Sequence, residues 1–179
     1  MKKRIFIFGG SGSGTTSITK AACDELGYSH FDSDNYLWLP TDEPYTVVRS
    51  ADEYIDLMGK DLNNNEKWIL SGHVSHGLGN VYLPLYELVV FIHVPHDIRM
   101  ERIKKREYER YGEEIFLGGN RHELSKEFFS YCAEYETGTG RRSLKEHEKW
   151  LKSIKCPILR ITNESFDKSV RILLEAINE

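Results

Sequence analysis

Five short apolar runs alternate along the chain with segments whose apolar residues recur at helical spacing. The runs cover residues 5–8, 28–31, 68–70, 88–94 and 157–161. The third and fourth runs are apolar almost throughout, which is typical of parallel strands that are covered by helices on both faces. Strands that alternate with helices predict an α/β fold, a doubly wound parallel five-stranded sheet.

Helix start and stop signals support this alternation. Residues 15–26 carry an amphipathic pattern, and Gly27 follows as a stop signal. Ser50 and Glu53 form a capping box, in which each side chain satisfies a backbone N–H group at the start of a helix. The pattern therefore predicts one helix over 15–26 and a second that begins after Ser50.

Two segments are candidates for substrate contacts. Residues 35–48 are rich in aromatic residues and proline, which favours a shaped pocket wall over a helix, so the acceptor-binding segment is expected at about 34–65. Glycine-bearing stretches flank a short amphipathic helix between about 112 and 142, which predicts a helical lid. We expect residues 1–179 to form a single domain that carries both segments.

The first apolar run leads directly into a glycine-rich loop and then into a helix. The loop reads Gly9-Gly10-Ser11-Gly12-Ser13-Gly14-Thr15-Thr16, and the spacing of Gly9, Gly14 and Thr16 is that of the Walker A motif. Glycines let successive N–H groups converge, and the helix start adds the positive end of its dipole, so these eight residues predict a polyphosphate site. Thr15 occupies the position of the motif's lysine, which removes a cation from the β- and γ-phosphates.

Two other interpretations of these glycines are open. A dinucleotide-binding fingerprint would also follow a first strand, with Asp32 and Asp34 about 20 residues further on. Its third glycine is missing in either register, however, because Thr15 and Ser17 stand at those positions. The other interpretation is a flexible loop without a ligand. Phosphate binding accounts best for the strand and helix that flank the loop.

Two carboxylates follow the second apolar run, in the sequence Asp32-Ser33-Asp34. Because ligands bind at the carboxyl edge of an open parallel sheet, we expect both side chains to lie near the phosphate loop. The alternative is an Asx turn or a helix N-cap, which would use the same residue types.

Arginines recur in the segment after the fourth run, at positions 99, 102, 106 and 110. On a helix they would form one stripe of guanidinium groups, which suits phosphate oxygens. We therefore expect Arg106→Ala to impair the protein far more than Arg99→Ala. The alternative is a solvated helix face that Glu101, Glu107 and Glu109 neutralise.

Histidine pairs stand at the ends of the third and fourth runs, as His73-x-x-His76 and His93-x-x-His96. Four imidazoles could bind a metal, but no adjacent Cys or Glu completes such a site, and histidines near strand ends often bond loop carbonyls. A polar contact from His73 into the substrate pocket is the favoured interpretation.

Composition narrows the function classes. The chain has 179 residues, of which 40% are hydrophobic, and a formal net charge of −4, which argues against a general nucleic-acid binder. Its three cysteines are odd in number and far apart, which fits reduced thiols in the cytoplasm. No apolar run reaches the length of a membrane span. We expect a cytoplasmic protein with no nucleic-acid, membrane or obligatory protein partner.

With these motifs the chain resembles the adenylate-kinase and shikimate-kinase branch of P-loop phosphotransferases over essentially its whole length. Pro95 with Arg102 and Arg106 is similar to the branch's stretch after the fourth strand, where one arginine stacks on adenine and the other holds phosphates. Phe31-Asp32-Ser33-Asp34 is similar to the shikimate-kinase pattern. Ser71-Gly72 departs from the Asp-Gly that nucleotide kinases carry at this place.

The resemblance implies a kinase that uses ATP and Mg²⁺ and transfers the γ-phosphoryl group to a nucleoside monophosphate or a small hydroxylated metabolite. It implies that Thr16 ligates Mg²⁺, that Asp32 supports the water shell of the ion, and that Asp34 orients or deprotonates the acceptor. Nucleotide binding would add Arg102, catalysis would use Arg106, Arg141 and Arg142 with Asp34, and the acceptor would contact Asp32, Asp34, Tyr36, Trp38, Arg49 and His73. Because the lysine is absent, a nucleotide-binding or sensing module with weak catalysis is the alternative.

Overall fold

The computed structural model describes residues 1–42, 44–73 and 79–179 of the chain. Its helices and strands, in chain order, are β1 (Arg4–Gly9), α1 (Thr15–Leu26), β2 (Ser29–Asp32), α2 (Ser33–Leu37), α3 (Ala51–Asn64), β3 (Trp68–Gly72), β4 (Leu88–His93), α4 (His96–Tyr111), α5 (His122–Ala133), α6 (Leu144–Leu151), β5 (Ile158–Thr162) and α7 (Phe166–Asn178). Two 3₁₀ segments, Gly79–Leu85 and Gly112–Ile115, lie between them. None of the helices in the described part of the chain has the length and apolar content of a membrane span.

The strands form one parallel sheet in the order β2-β3-β1-β4-β5. β1 lies at the centre, where Ile5 pairs with Ile69 of β3 and with Leu88 of β4. Since parallel strands end at the same edge, the loop after β1 starts from the middle of the carboxyl edge, where ligands bind in open α/β sheets. The α/β fold and the parallel five-stranded sheet predicted from the sequence are confirmed.

Two apolar layers cover the sheet, because successive side chains along a strand point to opposite faces. Ile7 of β1 belongs to the layer beneath α1 and α7, together with Ile18 and Leu173. Phe8 belongs to the opposite layer, where the centroid of its ring lies 5.1 Å from that of Trp150 in α6. Burial on both faces therefore fixes the strand from which the phosphate loop begins.

The segment after β2 contains a helix that the sequence pattern did not predict. α2 follows β2 directly, and the Asp32 side chain caps it by accepting a hydrogen bond from Asp34 N. Beyond α2 the chain returns on itself, with an isolated antiparallel bridge between Trp38 and Val48. The expectation of an entirely non-helical stretch is therefore wrong for its first residues, because five residues are too few to show a helical period.

The segment predicted as a lid contains the expected helix. α5 packs beside α4 through a small apolar cluster in which Met100, Ile103 and Cys132 are buried. The chain then returns to the carboxyl edge of the sheet at Tyr135, which is also buried. Opening and closing of this segment stays a prediction.

Serine side chains cap the starts of α3 and α6, and the first of these is the cap predicted at Ser50. Ser50 Oγ accepts from Glu53 N at 3.3 Å and donates to the Glu53 carboxylate at 2.8 Å. Ser143 Oγ accepts from Glu146 N at 3.3 Å. The two bonds from backbone nitrogen satisfy N–H groups that have no partner within their helices.

Replacing Ser50 by Ala is expected to lower the free energy of unfolding by about 1 kcal/mol, since the first turn of α3 loses its cap. Unfolding in urea measures the change. Ser165→Ala is the matched control, because Ser165 precedes α7 at the same position but its side chain makes no capping bond. A loss of equal size in both variants would show that the Ser50 cap is not the cause.

Candidate active site

The predicted phosphate loop adopts a conformation that depends on glycine at two positions. Gly12 and Gly14 have φ angles of 83° and 86°, in the left-handed region that side chains disfavour. α1 begins directly after Gly14, so its first N–H groups have no carbonyl partner within the helix. These amides and the positive end of the helix dipole suit phosphate oxygens.

Side chains from distant parts of the chain support this loop from outside. Asn163, which is buried after β5, donates from Nδ2 to Ser13 O at 2.8 Å, and its Oδ1 accepts from Ser169 Oγ at 3.1 Å. The ring of Tyr135 covers Gly10, where an added Cβ atom would lie 2.9 Å from Tyr135 Cζ. The protein itself therefore holds the loop in shape.

Arg99 departs from the arginine stripe predicted for α4. Its side chain is 1% exposed, and it donates hydrogen bonds to Ser11 O, Cys132 O and the Glu136 carboxylate. The stripe interpretation is wrong for this residue, because the first turn of α4 is covered by the phosphate loop and the end of α5. Arg99→Ala is therefore a core substitution and cannot serve as the mild reference for Arg106→Ala.

Thr16 and Asp32 meet beside the start of α1. Thr16 Oγ1 donates to Asp32 Oδ2 at 2.9 Å, and Asp32 Oδ1 accepts from Asp34 N at 3.0 Å. Asp32 thus caps α2 and also contacts the phosphate loop. The helix N-cap and the carboxylate beside the loop, which the sequence offered as alternatives, are therefore both present. A hydroxyl and a carboxylate beside a phosphate cradle are oxygen ligands that fit Mg²⁺, which binds through few protein groups and the substrate phosphates.

Asp34 lies next to this pair in a partly buried position. Its Oδ1 atom is buried and has no hydrogen-bond partner within the described part of the chain. Burial and the charge of Asp32 raise the pKa of Asp34, while Arg142, a hydrogen bond from the Trp38 side chain and Arg106 act in the opposite direction. One carboxylate oxygen is therefore available to a ligand, and cations lie close to it.

The raised pKa of Asp34 predicts how Asp34→Asn changes stability with pH. An acid whose pKa is higher in the folded chain destabilises it once ionised, so the cost is fully present above the folded pKa and disappears as pH falls toward the ordinary value of 3.8. We expect the variant to unfold at a higher temperature than the parent at pH 7, and the difference to close near about pH 4. Thermal unfolding at the two pH values tests this. A variant that is less stable than the parent at pH 7 would contradict it.

The other predicted arginines reach the site to different degrees. Arg102 Nη2 donates at 3.2 Å to a backbone carbonyl after β5, so this side chain lies beside the phosphate loop. Arg106 and Arg142 both act on the pKa of Asp34, and Arg106 Nε is buried without a hydrogen-bond partner among the described residues. Arg141 is exposed. The structure thus brings Arg106 and Arg142 to the carboxylate, whereas a role for Arg141 stays a prediction.

The predicted acceptor residues differ in what their side chains contact. Trp38 reaches the site through its hydrogen bond to Asp34. Tyr36 is buried in the core, and its hydroxyl donates to Asp61 Oδ2 at 2.7 Å. Arg49 Nε donates to Tyr36 O at 2.9 Å, which fixes the backbone behind Asp34. The hydroxyl of Tyr36 is therefore committed to the fold, and a contact between Trp38 and an acceptor stays a prediction.

His73 lies where β3 meets the start of α2. Its backbone N–H donates to Ser33 Oγ at 3.1 Å, and the centroid of its ring is 5.5 Å from that of His147. His76 lies outside the described residues. Among residues 1–42, 44–73 and 79–179, no group of three or more His, Cys, Asp or Glu side chains could hold a metal ion. The four-histidine interpretation therefore gains no support from this structure.

Sequence reasoning missed three residues that shape the site, namely Tyr135, His147 and Asn163. Tyr135 and His147 are both buried, and the Tyr135 hydroxyl lies 2.9 Å from His147 Nδ1. Their spacing suggested only the packing faces of helices. Asn163 directly follows the last strand, so the rule that ligand sites collect at carboxyl ends could have identified it.

Two comparisons of the sequence find relatives of the chain. Residues 5–126 match a family model described as an AAA domain. A protein of Bacillus subtilis (strain 168), described as uncharacterized protein YqaC, is 42% identical over 165 residues, which cover 92% of this chain and 90% of the relative. The match to the family model extends over both the phosphate loop and the arginine-bearing helix α4.

Solved structures share the fold at low sequence identity. Shikimate kinase from Bacteroides thetaiotaomicron has a TM-score of 0.58 and 18% identity, with all of both chains covered. Deoxyadenosine kinase from M. mycoides with bound dATP has a TM-score of 0.55 and 17% identity, with 98% of this chain and 100% of that chain covered. A gluconokinase from Sinorhizobium meliloti 1021 has a TM-score of 0.55 and 16% identity, with 99% of this chain and 92% of that chain covered. The fold is that of P-loop kinases.

Proposed function

The chain belongs to the AAA domain family, and on that premise we propose that it is a kinase that transfers the γ-phosphoryl group of ATP to a small acceptor. The acceptor is a nucleoside monophosphate or a small hydroxylated metabolite. The nucleotide lies on the phosphate loop, the acceptor lies beside Asp34 against the segment at about 34–65, and the segment at about 112–142 covers both.

The placement of Asp34 is the observation that carries this proposal. Its Oδ1 atom is buried without a partner among the described residues, while the neighbouring Asp32 accepts a hydrogen bond from Thr16 of the phosphate loop. The charges of Arg142 and Arg106 act to lower its pKa. A carboxylate so placed is suited to hold an acceptor hydroxyl next to a phosphoryl group.

The chemistry requires positioning and charge neutralisation more than covalent help from the protein. The acceptor oxygen bonds to the γ-phosphorus as the bond to the bridging oxygen of ADP breaks. Asp34 takes the hydroxyl proton of a hydroxylated metabolite, whereas it only orients a nucleoside monophosphate, because the attacking phosphate oxygen of that acceptor carries no proton to remove. The raised pKa of Asp34 makes this carboxylate a better proton acceptor. Thr16 and Asp32 would hold Mg²⁺, which neutralises phosphate charge when bound.

The arginines supply the remaining positive charge. Arg106, whose Nε atom lacks a partner among the described residues, clamps the terminal phosphates together with Arg142 and the exposed Arg141. Arg102 stacks on adenine beside the loop after β5, a role that its contact with a carbonyl of that loop supports. Positive charge from α4 and the lid thus replaces the lysine that Thr15 displaces.

A direct assay tests the proposal. Purified protein is incubated with ATP, Mg²⁺ and a panel of nucleoside monophosphates and small polyol acids, and ADP release and acceptor phosphorylation are measured. We expect turnover above the acceptor-free background for at least one class of acceptor. No turnover with any of them, under conditions where the protein binds ADP, would count against a kinase.

The second candidate is a nucleotide-binding or sensing module with weak catalysis. Thr15 favours it, and so does Ser71, which stands where nucleotide kinases carry an acid. Ser71 is fully buried, and its Oγ lies 3.0 Å from His30 Nε2, so it is committed to contacts within the sheet. Tight ADP binding with no phosphoryl transfer to any acceptor would select this function.

A further inference from the structure

Arg99 connects the phosphate loop to the end of α5. Its Nη1 donates to Ser11 O at 3.1 Å, and its Nη2 donates to Cys132 O at 2.8 Å. Its Nε donates to Glu136 Oε1 at 3.2 Å, and Nη2 also reaches Glu136 Oε2 at 2.9 Å. The guanidinium carbon lies 4.8 Å from the centroid of the Tyr135 ring. One buried side chain therefore contacts three separate parts of the site's supporting structure.

The buried charge of Arg99 is neutralised locally. Burial opposes ionisation of Glu136, but hydrogen bonds from Arg99 and His96 and the charge of Arg99 outweigh it and keep the pKa of Glu136 below its ordinary value. Arg99 is buried and Glu136 is partly buried, and a pair of this kind is a weak source of net stability, yet loss of one partner is costly. The conformation that Arg99 and Glu136 impose on the phosphate loop is thus a clearer reason for the pair than its net contribution to stability.

That conformation concerns one peptide bond of the loop. In a trans peptide the C=O of one residue and the N–H of the next point in opposite directions. Because Ser11 O points toward Arg99 on the outer side of the loop, the N–H of Gly12 points away from Arg99, toward the inner side. An anion on the loop would meet an N–H donor there rather than a carbonyl oxygen.

The peptide bond between Ser13 and Gly14 is held in the same way, by a side chain from the loop after β5. Ser13 O points toward Asn163 Nδ2, so the N–H of Gly14 points away from Asn163. Asn163 is 3% exposed and is itself held by Ser169. Two buried donors, one from α4 and one from the loop after β5, thus fix alternate peptides of the loop.

We propose that Arg99 is a positioning residue for the phosphate loop. It holds the Ser11–Gly12 peptide with its N–H toward the bound polyphosphate, and through Glu136 it ties that orientation to the chain that follows α5. The inference rests on the proposed function only in that the loop binds a polyphosphate. Without Arg99 the peptide is free to turn over, and its carbonyl oxygen would then repel the anion.

Binding of inorganic pyrophosphate and of ADP, measured by titration calorimetry, tests this without any need for turnover. We expect Arg99→Met, which keeps side-chain length but no donor, to weaken both by about 10- to 100-fold. Met100→Ala is the matched control, because Met100 is the next residue of α4 and is buried in the apolar contact with α5. It should lower the unfolding temperature and leave both affinities within about twofold.

A spectroscopic readout separates positioning from a general loss of structure. The amide resonance of Gly12 should shift on addition of pyrophosphate in the parent and in Met100→Ala, but not in Arg99→Met. If Arg99→Met does not fold, Arg99→Lys is compared instead, since it keeps the charge beside Glu136 but loses the fork that reaches Ser11 O. Pyrophosphate affinity within twofold of the parent in the folded variant would overturn the inference.

The outcome is distinct from that of the kinase proposal. A parent protein that binds ADP and transfers no phosphoryl group, with weak binding in Arg99→Met, would support the positioning role and reject the kinase. A parent protein that phosphorylates an acceptor, with unchanged pyrophosphate and ADP binding in Arg99→Met, would support the kinase and reject the positioning role.

Discussion

Asp34→Asn is expected to lower kcat with a hydroxylated acceptor by about 10²- to 10⁴-fold, since the amide cannot take the proton of the acceptor hydroxyl. The affinity for ADP should change by less than about threefold, because the nucleotide is held by the loop and not by this side chain. Steady-state kinetics and titration calorimetry measure the two effects separately. This division between kcat and binding is the signature of a group that acts on the acceptor.

The control for this substitution is Asp24→Asn. Asp24 is an exposed carboxylate on α1 that pairs with Lys20 at 2.6 Å. Exposed ion pairs of this kind contribute little to the stability of a protein. Its kcat should match that of the parent. If Asp34→Asn also kept its kcat, the acceptor would have to be activated elsewhere.

Arg106→Ala is expected to weaken ATP binding or lower turnover by about 10- to 100-fold, because the terminal phosphates lose a charge-assisted contact. The reference is Arg110→Ala, an exposed arginine one turn further along α4, which should behave like the parent. Binding and turnover of ATP are measured for both variants. Equal values for Arg106→Ala and Arg110→Ala would show that Arg106 does not replace the missing lysine.

Thr15→Lys provides the complementary change. It restores the cation at its usual place in the loop, so we expect nucleotide affinity to be kept or raised in the single variant. In combination with Arg106→Ala it should recover most of the loss in ATP affinity. A double variant as weak as Arg106→Ala alone would mean that the two cations do not act on the same phosphates.

The fold could be predicted from the sequence because its signals are local. The helix predicted over residues 15–26 is α1 with the same bounds, since a glycine marks each end. The third and fourth strands were recognised from continuous apolar runs, which are typical of parallel strands buried on both faces of a sheet. α2 was missed because its signal, a single aspartate cap, resembles that of a turn.

The candidate site was predicted only in part, because its supporting contacts are not local. Arg99 and Arg106 are seven positions apart, nearly two full helical turns, so periodicity places them on the same face of α4. Periodicity does not reveal which part of the protein lies opposite each turn of α4. The first turn faces the phosphate loop, while later turns approach Asp34. The contact between Asn163 and Ser13 O joins opposite ends of the chain, and no spacing could have indicated it.

The central position of β1 has a consequence for how the protein is made. Its partners in the sheet, β3 and β4, are synthesised well after it, and Asn163, which holds the loop from outside, emerges later still. Such non-local pairings form slowly, so a ribosome-bound chain that lacks β5 should not retain pyrophosphate. In the finished protein, hydrogen exchange at the backbone amides of β1, which pair with β3 and β4, should then follow unfolding of the whole sheet rather than a local fluctuation.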